Sequence, residues 1–252
     1  MDSFQNKNPS RFFVQEAELG KLDKQDLGDI KFLLKKRAIG DLPDESWETL
    51  SSNLFQELSN KRFDVEGREL LVELLLDLNL PQSLRIKSAY SLQKIMNVAS
   101  FEDINKIMDV YLTCAESHEL KNSDLTIVVL QVLSPFFEQY IAPNNGYNIR
   151  FENVVRDLVV NENGVSKKCR VEAIRVAGQT RIVSLLELIQ SYARDESAEF
   201  EFRSSSIIAL GYYKEEDDKD YLVELSRGDG PFQRVASVTY KKFSLIQIEK
   251  ED

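Results

Sequence analysis

Arg170-Val171-Glu172-Ala173-Ile174-Arg175-Val176-Ala177-Gly178 returns 33 residues later as Arg203-Ser204-Ser205-Ser206-Ile207-Ile208-Ala209-Leu210-Gly211. A third copy starts at Arg234 with Val235, Ala236, Ser237 and Val238, and a fainter one at Arg85 with Ile86, Ser88, Ala89 and Leu92. The copies at Arg85, Arg170 and Arg203 are each followed by a second amphipathic segment, 101–115, 182–192 and 217–225. A recurrence of this length is the mark of stacked helical hairpins. One hairpin cannot bury its apolar stripe alone, whereas a stack of them buries a continuous core. The small residues Ala173, Ser206 and Ala209 let neighbouring helices approach. The leading Arg is placed to tie one repeat to its neighbour. Gly178 and Gly211 are expected at the end of the first helix, as left-handed caps.

Helical periodicity extends outward from these copies over almost the whole chain. Apolar faces recur over 26–39, 43–58, 66–78, 83–96, 101–115, 124–141, 149–160, 166–178, 182–192, 200–213, 217–225 and 231–246. Pro135 is expected to kink or split the helix over 124–141. No segment has a convincing period of two, so strands are not expected. Pro143-Asn144-Asn145-Gly146 is the clearest loop signal and marks a soft boundary near 143–148. Residues 1–25 read as a loose or capping segment, and 26–252 as one repeat domain.

Arg203 to Gly211, followed by Tyr221-Leu222-Val223-Glu224-Leu225, resembles the HEAT family. The likeness is greatest to the short HEAT-like repeats first described in phycobilisome lyases. It is good over 166–246 and fair over 66–115. Two copies depart from the pattern. Lys241-Lys242 stand where Leu-Gly is expected, as in a terminal cap facing water, and Gln93 stands in place of Gly. The resemblance implies an all-α protein, a right-handed α-solenoid of about five to six HEAT-like hairpins. It implies little about function, because such repeats serve many unrelated tasks.

Composition narrows the function classes. The 252 residues carry 32 basic and 42 acidic side chains, a net charge of -10, which argues against broad binding to phosphate backbones. One His and two Cys leave no His- or Cys-rich metal site. HEAT-repeat deoxyhypusine hydroxylases hold iron through several His-Glu pairs, and His118-Glu119 is the only such dipeptide here. Cys114 and Cys169 lie in apolar-patterned segments and read as buried reduced thiols. The polar N-terminal stretch does not look like a signal peptide, and the apolar run 70–80 is too short to span a bilayer. A cytoplasmic setting is the simplest. There is no phosphate loop, nucleophile elbow or Cys-His pairing, so no catalytic residue, metal or cofactor is assigned.

Two further HEAT-like classes stay open. DNA glycosylases of this type need a basic face and aromatic residues beside a carboxylate. The chain has one Trp, Trp47, and one basic cluster, Lys167, Lys168, Arg170, Arg175 and Arg181. Bilin lyases match in repeat type and length, but no residue set marks pigment handling.

The acids are the remaining signal. Asp195, Glu196, Glu199 and Glu201 form one cluster, and Glu215 to Asp218 with Asp220 a second. Near helix starts such residues are stabilised by the dipole, by about 0.3–1 kcal/mol each. On the second helices, the positions opposite the apolar stripe include Asp109, Glu116, Glu187, Asp220 and Glu224. With Asp217 and Tyr213 beside the second cluster, they are the expected protein-binding row. In the adjacent pairs Phe12-Phe13, Phe136-Phe137 and Tyr212-Tyr213, one ring of each is expected to be exposed. The expected partner is another protein, a basic one, met through electrostatic complementarity. The concrete form is an acidic inhibitor or immunity-type protein that neutralises a basic toxin or nuclease.

Overall fold

The computed structural model describes residue 55 and residues 65–97, 99–117, 123–139, 146–161 and 164–248. Among the described residues the chain forms ten α-helices, one 3-10 turn and no strand. The helices expected over 26–39 and, apart from residue 55, over 43–58 with Trp47, the segment 1–25, His118-Glu119 and Pro143 to Asn145 lie outside the described residues.

The chain divides into two compact units, Met1–Ser100 and Phe101–Asp252. In the first, helices α1 (Val65–Leu76) and α2 (Gln82–Met96) pack on each other. Leu70, Leu71, Leu74 and Leu75 are buried on α1, and Leu84, Ala89, Leu92 and Met96 on α2. Ser91 Oγ donates to the carbonyl of Phe55 at 3.1 Å.

The second unit holds α3 (Phe101–Glu116), α4 (Asp124–Gln139), α5 (Gly146–Val160), α6 (Lys167–Gln179), the 3-10 turn Val183–Leu185, α7 (Leu186–Arg194), α8 (Phe200–Tyr213), α9 (Glu216–Arg227) and α10 (Gln233–Ile248). Helices α4, α6, α8 and α10 contact one another in succession. Helix α3 reaches α5 in the same next-but-one manner. Between these rows, α5 packs on α6, α7 on α8, and α9 on α10. Helix α4 buries a wide arc, including Leu125, Val129, Leu130, Leu133, Phe136 and Phe137. Both rings of the Phe pair are therefore inside, contrary to the single exposed ring that the sequence led us to expect. Phe137 stacks on Phe151 with centroids 4.1 Å apart. Pro135 does not split α4, which runs unbroken from Asp124 to Gln139. The carbonyl that loses its N–H donor to the proline is that of Gln131, and Ser134 Oγ donates to it at 3.4 Å.

The two repeat glycines do a different job from the one expected. Neither caps its helix, since both lie inside α6 and α8. A Cβ on Gly178 would stand 2.6 Å from both Cα and Cβ of Ala209, and one on Gly211 would stand 2.4 Å from Thr239 Cγ2. They are the points where α6 meets α8 and α8 meets α10. The left-handed position falls three residues later in both copies, at Arg181 (φ 53°) and Lys214 (φ 63°). At the end of α6 the N–H of Ile182 bonds to the carbonyl of Ala177 and that of Arg181 to Gly178, both at 3.0 Å. That is a Schellman pair with Arg181 in the left-handed place.

The repeat arginines close a second link. Arg85, Arg170 and Arg203 donate Nε to the carbonyls of Leu75 (2.8 Å), Val159 (3.3 Å) and Ala193 (3.0 Å). Each acceptor lies in the last turn of the preceding helix, where carbonyls lack helical donors and a cation is favoured. Arg170 also lies over the Phe202 ring at 4.7 Å, and Arg203 over Phe232 at 4.6 Å. Arg234 forms neither contact and lies exposed on α10.

Gly178→Ala should destabilise the protein by about 1–3 kcal/mol in urea unfolding, because the new methyl meets backbone that cannot step aside. The gain in helix propensity, at most about 1 kcal/mol, is too small to offset this. Gly228→Ala is the control. Its Cβ meets nothing nearer than Leu225 O at 3.6 Å, and its cost should stay within about 0.5 kcal/mol.

Candidate functional site

The acidic residues singled out from sequence do not share one environment. Asp109 and Glu116 sit on one face of α3 and clasp Arg150 of α5, at 2.5 and 2.8 Å. Arg150 Nε donates to the second oxygen of Glu116 at 2.8 Å, which makes that pair bidentate. Its guanidinium is held charged well above the usual range, by Glu116 foremost and then by Asp109. These two carboxylates link α3 to α5 and are already matched. Glu187 on α7, and Asp217, Asp220 and Glu224 on α9, are exposed. None of the four forms an ion pair with a described residue. Tyr213 is half-buried and its hydroxyl donates to the carbonyls of Ile182 at 2.8 Å and Ala177 at 3.1 Å. Burial, and to a lesser degree the charge of Glu152, push its phenol well above the ordinary tyrosine range. The tyrosine braces the turn after α6.

One acid of the second cluster is not solvated at all. Asp218 is fully buried near the start of α9. It accepts from Arg194 Nη2 at 2.7 Å and from Gln190 Nε2 at 3.0 Å, so α7 is bound to α9. Arg194 in turn lies over the Tyr221 ring at 5.1 Å. Nothing in the run of four acids from Glu215 to Asp218 marks which one turns inward; only its spacing to Leu222, buried on the same face, hints at it.

The basic cluster is dispersed too. Lys167 pairs with Glu199 and, at 2.9 Å, with Glu201. Arg175 pairs with Glu172, which raises its pKa, and Arg170 is engaged in the helix-end contact above. Lys168 is exposed, and Arg181 faces a groove between α8 and α10.

That groove encloses about 510 Å³. Ile208, Val235, Val238 and the Gly211–Thr239 contact give it apolar walls. Arg181 and Lys214 come from the two left-handed turns, Arg234 and Lys242 from α10. Tyr212 completes the lining, with Lys242 Nζ 5.8 Å from its ring centroid. Four cations thus converge in a chain of net charge -10. The sequence signal for it is Lys241-Lys242 in place of Leu-Gly, a pair that also fits a cap facing water. The matching offset of Arg181 and Lys214 from the two glycines is a second, weaker signal.

Among the described residues no group of three or more His, Cys, Asp or Glu stands together to hold a metal ion. Among them, too, no helix is long and apolar enough to cross a membrane. No protein-family model and no curated protein matches the chain. Cys114 and Cys169 are buried and outside any disulfide, and burial raises the Cys169 thiol above its ordinary value.

Arg194→Met leaves a carboxylate buried without its cation and should cost about 2–3 kcal/mol, the smaller end of such losses because Gln190 still donates. Asp218→Asn keeps the shape and lets the partly exposed Arg194 turn to water, so about 1 kcal/mol is expected. Chemical denaturation of the two variants checks this order. Native protein should react with a disulfide reagent at least about 100-fold more slowly than free cysteine at neutral pH, and at full rate in urea.

Proposed function

We propose that this chain is a non-enzymatic protein-binding adaptor built on a right-handed HEAT-like α-solenoid, and that its partner is a basic protein. The solenoid reading is supported by the 33-residue recurrence and by the succession of next-but-one contacts from α4 to α10. The observation that carries the binding reading is the set of exposed carboxylates with no ion pair to a described residue, Glu187, Asp217, Asp220 and Glu224. They attract a positive surface, steer its approach and disfavour acidic competitors. The concrete role is inhibitory, in the manner of an immunity protein covering the basic cleft of a toxin or nuclease. Two buried cysteines outside any disulfide fit a reducing setting, the cytoplasm. Asp109, Glu116 and Tyr213 enter as structural supports, since their polar atoms are already engaged within the fold.

Affinity purification of tagged protein from its own cells at low salt should retain a stoichiometric basic protein that elutes as salt is raised. Glu187→Lys with Glu224→Lys should weaken that complex at least about tenfold, mainly through slower association. Retention of the partner at high salt, or equal affinity for the charge-reversed protein, would show that electrostatic capture is the wrong mechanism.

A further inference from the structure

The groove between α8 and α10 has no part in the acidic-face reading, and its chemistry is the opposite. We propose that it is a binding site for a small amphipathic anion, a single carboxylate or phosphate head on an apolar body. Its volume, about 510 Å³, lies within the range of small-molecule sites.

Two features fix the ligand class. The first is charge. Arg181, Arg234 and Lys242 form no ion pair with a described residue, although acids outnumber bases 42 to 32 in the chain. Four other basic side chains, Arg150, Lys167, Arg175 and Arg194, are matched within the fold, whereas these three lie side by side unmatched. Three cations in one groove, none of them ion-paired to a described residue, favour an anion from outside. The second is the wall. Val238 is 52% exposed, and Ile208 and Val235 line the same space. A bare inorganic anion would leave that apolar surface wet. A wholly apolar occupant would strip water from cations and give them no partner. A ligand with one anionic end and an apolar body satisfies both.

The remaining candidates fit less well. A polyanion such as a nucleic acid extends past the groove and meets the field of a chain with net charge -10, whereas a small ion responds to charges within about one Debye length, about 8 Å. The site is also held in shape. The Gly211–Thr239 contact sets the spacing of α8 and α10, and the left-handed turns that carry Arg181 and Lys214 fix where those two side chains depart. Left-handed non-glycine residues are uncommon and cluster at ligand sites.

Sodium decanoate is the probe, titrated into the full chain by calorimetry, with 1-decanol and acetate as the halves of the ligand. We expect saturable one-to-one binding of decanoate, with a Kd of about 10–100 μM. Decanol and acetate should each bind at least about tenfold more weakly. Arg234→Glu with Lys242→Glu should weaken decanoate at least about tenfold, and so should Val238→Trp, which fills the groove. These three residues are exposed, so helical circular dichroism and thermal unfolding should stay near the parent's. Lys168→Glu, an exposed base away from the groove, and the Glu187→Lys, Glu224→Lys protein should bind decanoate as the parent does. Decyl phosphate should compete with decanoate. Vesicles of an anionic phospholipid should not capture the protein; capture by vesicles without binding of free decanoate would point to a membrane surface and overturn the proposal. It is equally overturned if decanoate does not bind, if decanol or acetate matches it, or if the folded Arg234→Glu, Lys242→Glu protein binds like the parent.

Discussion

Helices α6 and α8 meet at Gly178 and Ala209, where a Cβ on the glycine would lie 2.6 Å from Ala209 Cα. Helix α6 can meet α8 at that distance only because the glycine has no side chain. Gly211 repeats the device against Thr239 one helix further on. Much else follows from it. Where two helices are held this close, Ala173, Ile174, Ala177, Ile207, Ala209 and Leu210 become fully buried. The spacing of α8 and α10, and so the width of the groove between them, is set at Gly211.

Close stacking leaves helix ends to be satisfied, and the same sequence unit provides for them. The arginine that opens α6 or α8 donates to a carbonyl in the last turn of the helix before it. The geometry serves three ends together: a hydrogen bond to a carbonyl in the last helical turn, a cation at the negative end of a helix dipole, and a ring contact with the next aromatic residue. Where the repeat reaches α10, Arg234 does not make this contact and lines the groove instead. A residue that ties helices together in three copies lies exposed in the fourth.

Charge is divided in a comparable way. Asp109, Glu116 and Asp218 hold helices together through Arg150 and Arg194. Glu187, Asp217, Asp220 and Glu224 face solvent. The first group stabilises the stack, and the second meets water. The two groups cannot be distinguished by residue type or by position in an acidic run. What separates them is whether a guanidinium from a helix distant in sequence reaches the same point.

The all-helical class, the helix positions within the described residues and the 33-residue unit were legible in the chain alone, because apolar periodicity and recurrence are local properties. The importance of Gly178, Gly211 and the leading arginines was legible too, but not the task of the glycines. A glycine that permits a left-handed turn and one that permits close approach look the same until the neighbouring helix is in place. The structure assigned the turn to Arg181 and Lys214, and the approach to the glycines. The burial of both Phe136 and Phe137, the unbroken α4 and the inward turn of Asp218 were likewise decided by tertiary packing. So was the convergence of Arg181, Lys214, Arg234 and Lys242, which span 62 positions of sequence from 181 to 242 and meet only because α8 and α10 lie side by side. Periodicity tells which residues turn away from water. Which charges meet depends on contacts between helices far apart in sequence, and no local pattern encodes those.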